Sequence, residues 1–169
     1  MKIRKFSIIV IVVLITTLFS SCSASKSELV PGKFAGFALS DYMDISTSVS
    51  VGGMILGIEL NEDTLLLHKE FAKGTKEFNV YVAKFENASR ATGFWYDFVR
   101  EVSNEIRSVI SAIPWIYGEF SGEVGESFMK SWFSGRWLYI FLGDNSEEVD
   151  SAVRAFKEYE KSLVRSVES

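Results

Sequence analysis

Apolar positions in this chain recur with a period of two in some stretches and close to four in others. Thr64–Phe71 (TLLLHKEF) and Lys76–Phe85 (KEFNVYVAKF) read as strands, with Lys73-Gly74-Thr75 as the turn of a hairpin. In the second strand Phe78, Val80 and Val82 share one side, and Tyr81, Ala83 and Phe85 share the other. From Asn87 the period lengthens. Phe94, Phe98, Val102, Ile106 and Ile110 recur at every fourth position, with Trp95, Val99 and Val109 widening the stripe. Asn87 stands where its side chain would accept from the first free backbone N–H groups. The spacing predicts a helix from about Asn87 to about Ile110, closed off by Pro114, which lacks an N–H.

The period then returns to two. Trp115–Phe120, with Gly122 near the turn, Glu126–Phe133 and Arg136–Leu142 read as three strands, the last two joined tightly at Ser134-Gly135. A final helix is signalled by Asn145 and Glu148, a variant capping box, and by the apolar stripe Val149, Val153, Phe156, Leu163 and Val167. The stretch 34–60 is less plain. Val49, Val51, Met54, Leu56, Ile58 and Leu60 nearly alternate, with a slip at Gly52-Gly53, which favours two short strands or one bulged strand. A helix remains open there, because Ile45, Val49, Leu56 and Leu60 can share a face. Asn61-Glu62-Asp63 reads as the following turn. The sum is an α+β fold: a mostly antiparallel sheet with two amphipathic helices on one face, a sandwich of ferredoxin-like kind.

Ahead of this domain lies MKIRKFSIIVIVVLITTLFSSC. Lys2, Arg4 and Lys5 form a basic head, Ile8–Phe19 an apolar run, and Ser20-Ser21 a small-residue site before Cys22. These are the parts of a secretory signal. The run is shorter than the ~20 apolar residues that a transmembrane helix needs. Phe19-Ser20-Ser21-Cys22 resembles the lipobox of bacterial lipoproteins, with Phe19 in place of the commoner Leu. The resemblance implies a diacylglyceryl group on the Cys22 sulfur, cleavage just before it, and acylation of the new amino terminus. From Thr64 onward the chain also resembles small uncharacterised lipoprotein domains of exported bacterial proteins, through its hairpin, NVYVAKFENASRATGF and the Gly-rich strands before the last helix. That likeness implies a fold type and carries no catalytic residues.

The expected organisation is therefore a signal peptide over 1–21, a lipidated N-terminus and short tether over 22–33, and one α+β domain over 34–169. A single acyl chain of this kind anchors only marginally, at about 0.8 kcal/mol per buried methylene, so two or three chains on Cys22 make attachment lasting. Cys22 is the one cysteine, which excludes a disulfide within the chain. Removing 1–21 takes away three basic and no acidic residues, leaving 15 basic against 22 acidic and a net charge of −7. That sign disfavours nucleic acid and supplies no polybasic membrane patch. The partner expected is a membrane, reached through lipid, on the extracytoplasmic side of the cell envelope.

Candidate chemistry is sparse, and no cofactor or metal is implied. His68 is the single histidine, outside any HExxH context, and no G-x-S-x-G elbow is present. Glu119, Glu123 and Glu126 cluster around one turn, and paired carboxylates hydrolyse glycosides when one is kept protonated. Asp41 and Asp44 are further loose acids, and Gly52, Gly53 and Gly57 lack the G-x-G-x-x-G pattern. The aromatic residues say more. Trp137, Tyr139 and Phe141 point to one side of the last strand, away from Leu138, Ile140 and Leu142. Trp115 and Tyr117, and Phe128 and Trp132, sit likewise on their own strands. Either residues 34–60 fold over this aromatic side as core, or it is a binding face for an envelope protein, peptidoglycan or an apolar ligand. The leading expectation is a non-catalytic, lipid-anchored binding or assembly module; the alternative is an envelope hydrolase acting on glycans with carboxylate catalysis.

Overall fold

Seven strands pair into one antiparallel sheet in the order β1-β2-β3-β7-β6-β5-β4. The structure is a computed structural model and describes residues 29–102, 109–113 and 116–167. The signal 1–21, Cys22, the tether up to residue 28, Pro114 and Trp115 lie outside the described residues. The strands are β1 (Met43–Ile55), β2 (Ile58–Lys73), β3 (Lys76–Lys84), β4 (Val109–Ile113), β5 (Tyr117–Val124), β6 (Ser127–Ser134) and β7 (Trp137–Gly143). Helix α1 (Ala88–Val102) follows β3, α2 (Ser146–Val167) follows β7, and a 3-10 turn spans Pro31–Gly36. The order describes two meanders, β1-β2-β3 and β4-β5-β6-β7, joined where β3 pairs with β7.

The chain divides into two units. One, Val30–Glu160, holds the sheet. The other takes in both chain ends; within its described part the helix continues through Lys161–Val167, and Ser166 Oγ donates to the Leu163 carbonyl at 2.7 Å.

Both helix starts follow the sequence. Asn87 Oδ1 accepts from the Arg90 N–H at 3.0 Å, and Asn145 Oδ1 from the Glu148 N–H at 3.0 Å. Each satisfies a backbone donor that the first turn leaves free. Elsewhere three boundaries move. Val109 and Ile110, expected at the end of the first helix, belong to β4. Both are β-branched, and their spacing fits a period of two as well as one of four. Asn61-Glu62-Asp63, expected as a turn, lies inside β2. The real turn is Leu56-Gly57, with φ of 49° and 83°, the left-handed pair that matches the twist of a two-residue hairpin. Pro31-Gly32, expected in the tether, enter the 3-10 turn, whose Pro31 and Phe34 are buried. The stretch 43–55 is one strand, and its register against β2 slips between Val51 and Gly53, at the Gly-Gly pair.

The α+β class, the antiparallel sheet and the two main helices are those the sequence pattern implies. The layering differs: the helices cover opposite faces instead of one. On the first face Ala91, Trp95, Phe98 and Val99 of α1 join Ala83, Phe85, Phe120, Met129, Phe133, Leu138 and Ile140 in one buried cluster. On the second, Phe156 of α2 lies 5.6 Å from the Tyr139 ring and 5.2 Å from Phe141, and also meets Phe34 at 5.2 Å and Phe37 at 5.1 Å. The cause is β7. Its side chains are apolar on both sides, so an uncovered face there would leave several large side chains in water, at ~1.5–3 kcal/mol each.

The first face closes around Trp95, which is fully buried and donates through Nε1 to Ser131 Oγ at 3.1 Å. Gly118 on β5 makes room for it: a Cβ there would lie 2.4 Å from Phe133 and 2.9 Å from Trp95. Gly118→Ala is accordingly expected to lower stability by about 1–3 kcal/mol, the cost of overpacking a filled core. A denaturant melt measures it, and an unchanged midpoint contradicts this packing.

Candidate functional site

The aromatic face is core. Trp132, Trp137 and Tyr139 are buried beneath α2 and the 3-10 turn, with Phe34 at 5.8 Å from Trp137. Trp132 stacks on Tyr139 at 4.9 Å and carries the Lys157 ammonium 5.1 Å above its ring. Tyr139 donates to Glu160 Oε1 at 2.7 Å; burial, then that carboxylate, push its hydroxyl pKa well above the ordinary value. Tyr117 and Phe128, nearer the rim, are half-buried. The binding face expected from Tyr117, Phe128, Trp132, Trp137 and Tyr139 is therefore not open, while Trp115 lies outside the described residues. Residues of the 34–60 stretch do cover it in part, through Phe34 and Phe37, but α2 supplies the rest.

A buried lysine fastens that cover. Lys69 on β2 is 1% exposed, and its ammonium donates to the Ala35 carbonyl and to Asp44 Oδ2, both at 2.5 Å. One cation thus ties the 3-10 turn and the start of β1 to the second strand. Asp44, a loose acid in the sequence, finds its partner here, and Asp41 sits 3.7 Å from Lys73.

The three turn acids part company. Glu119 accepts a hydrogen bond from the Tyr117 hydroxyl and lies 3.3 Å from Lys130, whose ammonium also donates to Asp150 of α2 at 2.9 Å. Glu123 and Glu126 are exposed. Glu119 and Glu123 stand four residues apart on one strand, about 13 Å at ~3.3 Å per residue, beyond the spacing a glycosidase pair uses. Burial works to raise the Glu119 pKa, but the Tyr117 hydroxyl and the Lys130 ammonium outweigh it and hold the carboxyl below its usual range. A general acid needs the opposite shift.

His68 is engaged as well. Its Nε2 lies 2.9 Å from Asn79 Oδ1 and its ring stacks on Tyr81 at 4.2 Å. Glu70 Oε1 is 3.7 Å away, while the Ser46 hydroxyl donates to Glu70 Oε2 at 3.0 Å. This is a cross-strand ladder of polar side chains, with the serine turned to the carboxylate and the histidine to an amide. Among the described residues, no group of three His, Cys, Asp or Glu is placed to hold a metal ion.

What stands open is the edge. Among the described residues β1 pairs with β2 alone, so one whole side of a 13-residue strand presents unpaired N–H and C=O groups. Val49 and Val51 are 56% and 67% exposed, and Met43, Ile45 and Met54 are exposed too. Edge strands are normally guarded by charge, proline or bulges. From Ile45 to Ile58 the chain has no charged residue and no proline. Bulges do occur, at Ile45 and near Gly52, but between them Ser46–Val51 is regular ladder. That uncharged run is visible in the sequence; alternation alone does not say that the strand lies at an edge.

Two substitutions test these placements. Trp137→Ala is expected to cost about 3–5 kcal/mol of stability, as large aromatic truncations in a core do. A thermal or denaturant melt checks it, and a near-neutral result means the face is open after all. Glu119 gives a pH test. Its folded pKa lies below the unfolded value of 4.5, so its contribution is present above that pH and is lost as pH falls through the depressed value. Glu119→Gln should therefore flatten the loss of stability as pH falls below about 4.5. An acid limb as steep as that of the unmodified chain would refute the coupling.

No protein-family model matches the chain, and no curated protein matches it. Among solved structures it is similar to the crystal structure of a GTP binding regulator from Thermotoga maritima. The two share 19% identity with a TM-score of 0.51, over 70% of this chain and 76% of that one. At that identity the likeness shows a shared fold and does not extend to activity.

Proposed function

We propose that the chain is a lipid-anchored module on the extracytoplasmic side of a bacterial membrane, non-catalytic, and that it works by binding or assembly through the free edge of β1. The anchor rests on Met1–Cys22 and its lipobox-like end. The contact rests on one observation: exposed apolar side chains along an edge strand whose neighbourhood, Ile45–Ile58, is free of charge. An edge of this kind offers main-chain hydrogen bonds and side-chain contacts together, the combination used in strand addition. The ligand class it suits is another polypeptide, an envelope protein, ahead of peptidoglycan or a small apolar ligand.

The polar groups with the chemistry for catalysis support a binding role. Glu119, His68 and Asp44 are each spent on a structural partner. The similar Thermotoga maritima protein is named a GTP binding regulator, but this chain contains no G-x-x-x-x-G-K-[ST] loop to cradle phosphates.

Both halves of the reading are testable in cells that make the full chain. Cys22 should take up a labelled fatty acid and appear by mass spectrometry as the acylated first residue, and Cys22→Ser should abolish the label. An unmodified thiol in the cell-derived protein overturns the anchor. At the edge, Val51→Cys in membranes should react with a maleimide at least about tenfold more slowly than after denaturation, the shielding expected of a residue inside an interface. Equal rates overturn the contact.

A further inference from the structure

The edge strand has a second regularity. Outward from Val49, the neighbours match in pairs: Ser48 with Ser50, Thr47 with Val51, and Ser46 with Gly52. β-branched residues thus fall on one face and small ones on the other, symmetrically about one position. The bulges at Ile45 and near Gly52 bracket this segment and leave it as a regular ladder. A two-fold contact pairs residue i with j and j with i, so this near-symmetry sets β-branched residues opposite β-branched ones and small residues opposite small ones.

We propose that β1 pairs antiparallel with β1 of a second copy of this chain, about a two-fold axis at Val49, joining two sheets into one. This deepens the reading of the β1 edge as the contact surface and rests on it. The register sets Val49 against Val49 of the other copy and Thr47 against Val51, so the most exposed valine of the segment gains a β-branched neighbour. Ser48 and Ser50 meet on the opposite face. Directly opposed residues in such a ladder have side chains close enough to stabilise it. Charge decides in favour of this place. With a mature balance of −7, two copies repel over most of their surfaces, whereas the segment Ser46–Val51 brings no charge to the contact. A shared membrane anchor would keep the copies close and limit their orientations.

Directly opposed residues lie about 4.5–5.5 Å apart at Cα, inside the range a disulfide spans. The test is oxidative cross-linking of the full chain in membranes, with Val49→Cys, Ser48→Cys and, as a control on the exposed side of α2, Arg154→Cys. The lipidated Cys22 sulfur is a thioether and does not take part. The expected result is a band of twice the monomer mass for Val49→Cys, little for Arg154→Cys, and loss of the band when Val51→Lys is added. Val49 is more than half exposed, so its replacement leaves the fold intact. A band from Ser48→Cys alone overturns the register and retains the pairing of copies. Equal bands from Val49→Cys and Arg154→Cys show random collision and overturn the pairing. No band from either edge cysteine, with both thiols shielded from maleimide, overturns the pairing and leaves the edge to another polypeptide. No band with freely reactive thiols overturns the pairing and the edge contact together.

Discussion

β7 is apolar on both sides, and the rest of the architecture depends on that. Trp137, Tyr139 and Phe141 look one way, Leu138 and Ile140 the other, and all five are buried. A strand with two such sides is stable only at the middle of a sheet with a cover on each face. It pairs with β3, whose Phe78, Val80 and Val82 continue the aromatic side while Tyr81 and Ala83 continue the aliphatic one. The connection after β3 therefore sends its helix to one face and the connection after β7 sends its helix to the other. Each meander ends in a helix, but the two halves are not copies related by a two-fold axis normal to the sheet, because such an axis would leave both helices on one side.

The aromatic side needs more cover than α2 gives. The chain ahead of β1 supplies it by placing Phe34 and Phe37 against Phe156, and Lys69 makes the arrangement specific. A buried ammonium is costly unless its donors are met. Here the Ala35 carbonyl and Asp44 meet it from two different segments, so the cation stays satisfied only while both are in place. Deleting either contact loses one hydrogen bond and also leaves a charge short of partners in a dry site. That asymmetry turns a modest pair of bonds into a constraint on where the domain's first residues lie.

Much of this is legible in the sequence, and the departures have physical causes. Asn87 and Asn145 cap where their side chains imply, and the strands around Val80, Phe120 and Ile140 stand where alternation places them. The run Trp137–Leu142 suggests one buried side and one available side, although an unbroken apolar strand already speaks of burial on both. Alternation of aromatic with aliphatic residues resembles alternation of functional with structural ones, yet Trp and Phe fill a core as readily as Leu does. The cover from Phe34 has no local signal, since its partner Phe156 is far along the chain. Leu56-Gly57 does not look like a turn because Leu rarely takes a positive φ, and the polar run Asn61-Glu62-Asp63 looks more turn-like. Glu119, Glu123 and Glu126 are close in sequence, but strand geometry separates neighbours that a helix or loop would bring together.

Among the described residues β1, unlike β7, has no second neighbour. Its inner side pairs with β2, and Asp44, the one acidic residue within β1, stands at the strand's start with its partly exposed carboxylate paired to Lys69. What remains outward is uncharged, β-branched and regular, the composition from which edge-to-edge association is built. In free solution such a segment is an aggregation hazard at high concentration. The proposed lipid anchor would change that risk, because two tethered copies would approach side by side within one plane and stacking in the third dimension would be restricted. With about 8 Å of screening at physiological salt, acidic neighbours still repel at contact distance, so the approach that costs least brings the neutral strands together. The same absence of charge that leaves the strand unguarded would therefore also select, in the proposed pairing, which surface of a like-charged twin it meets.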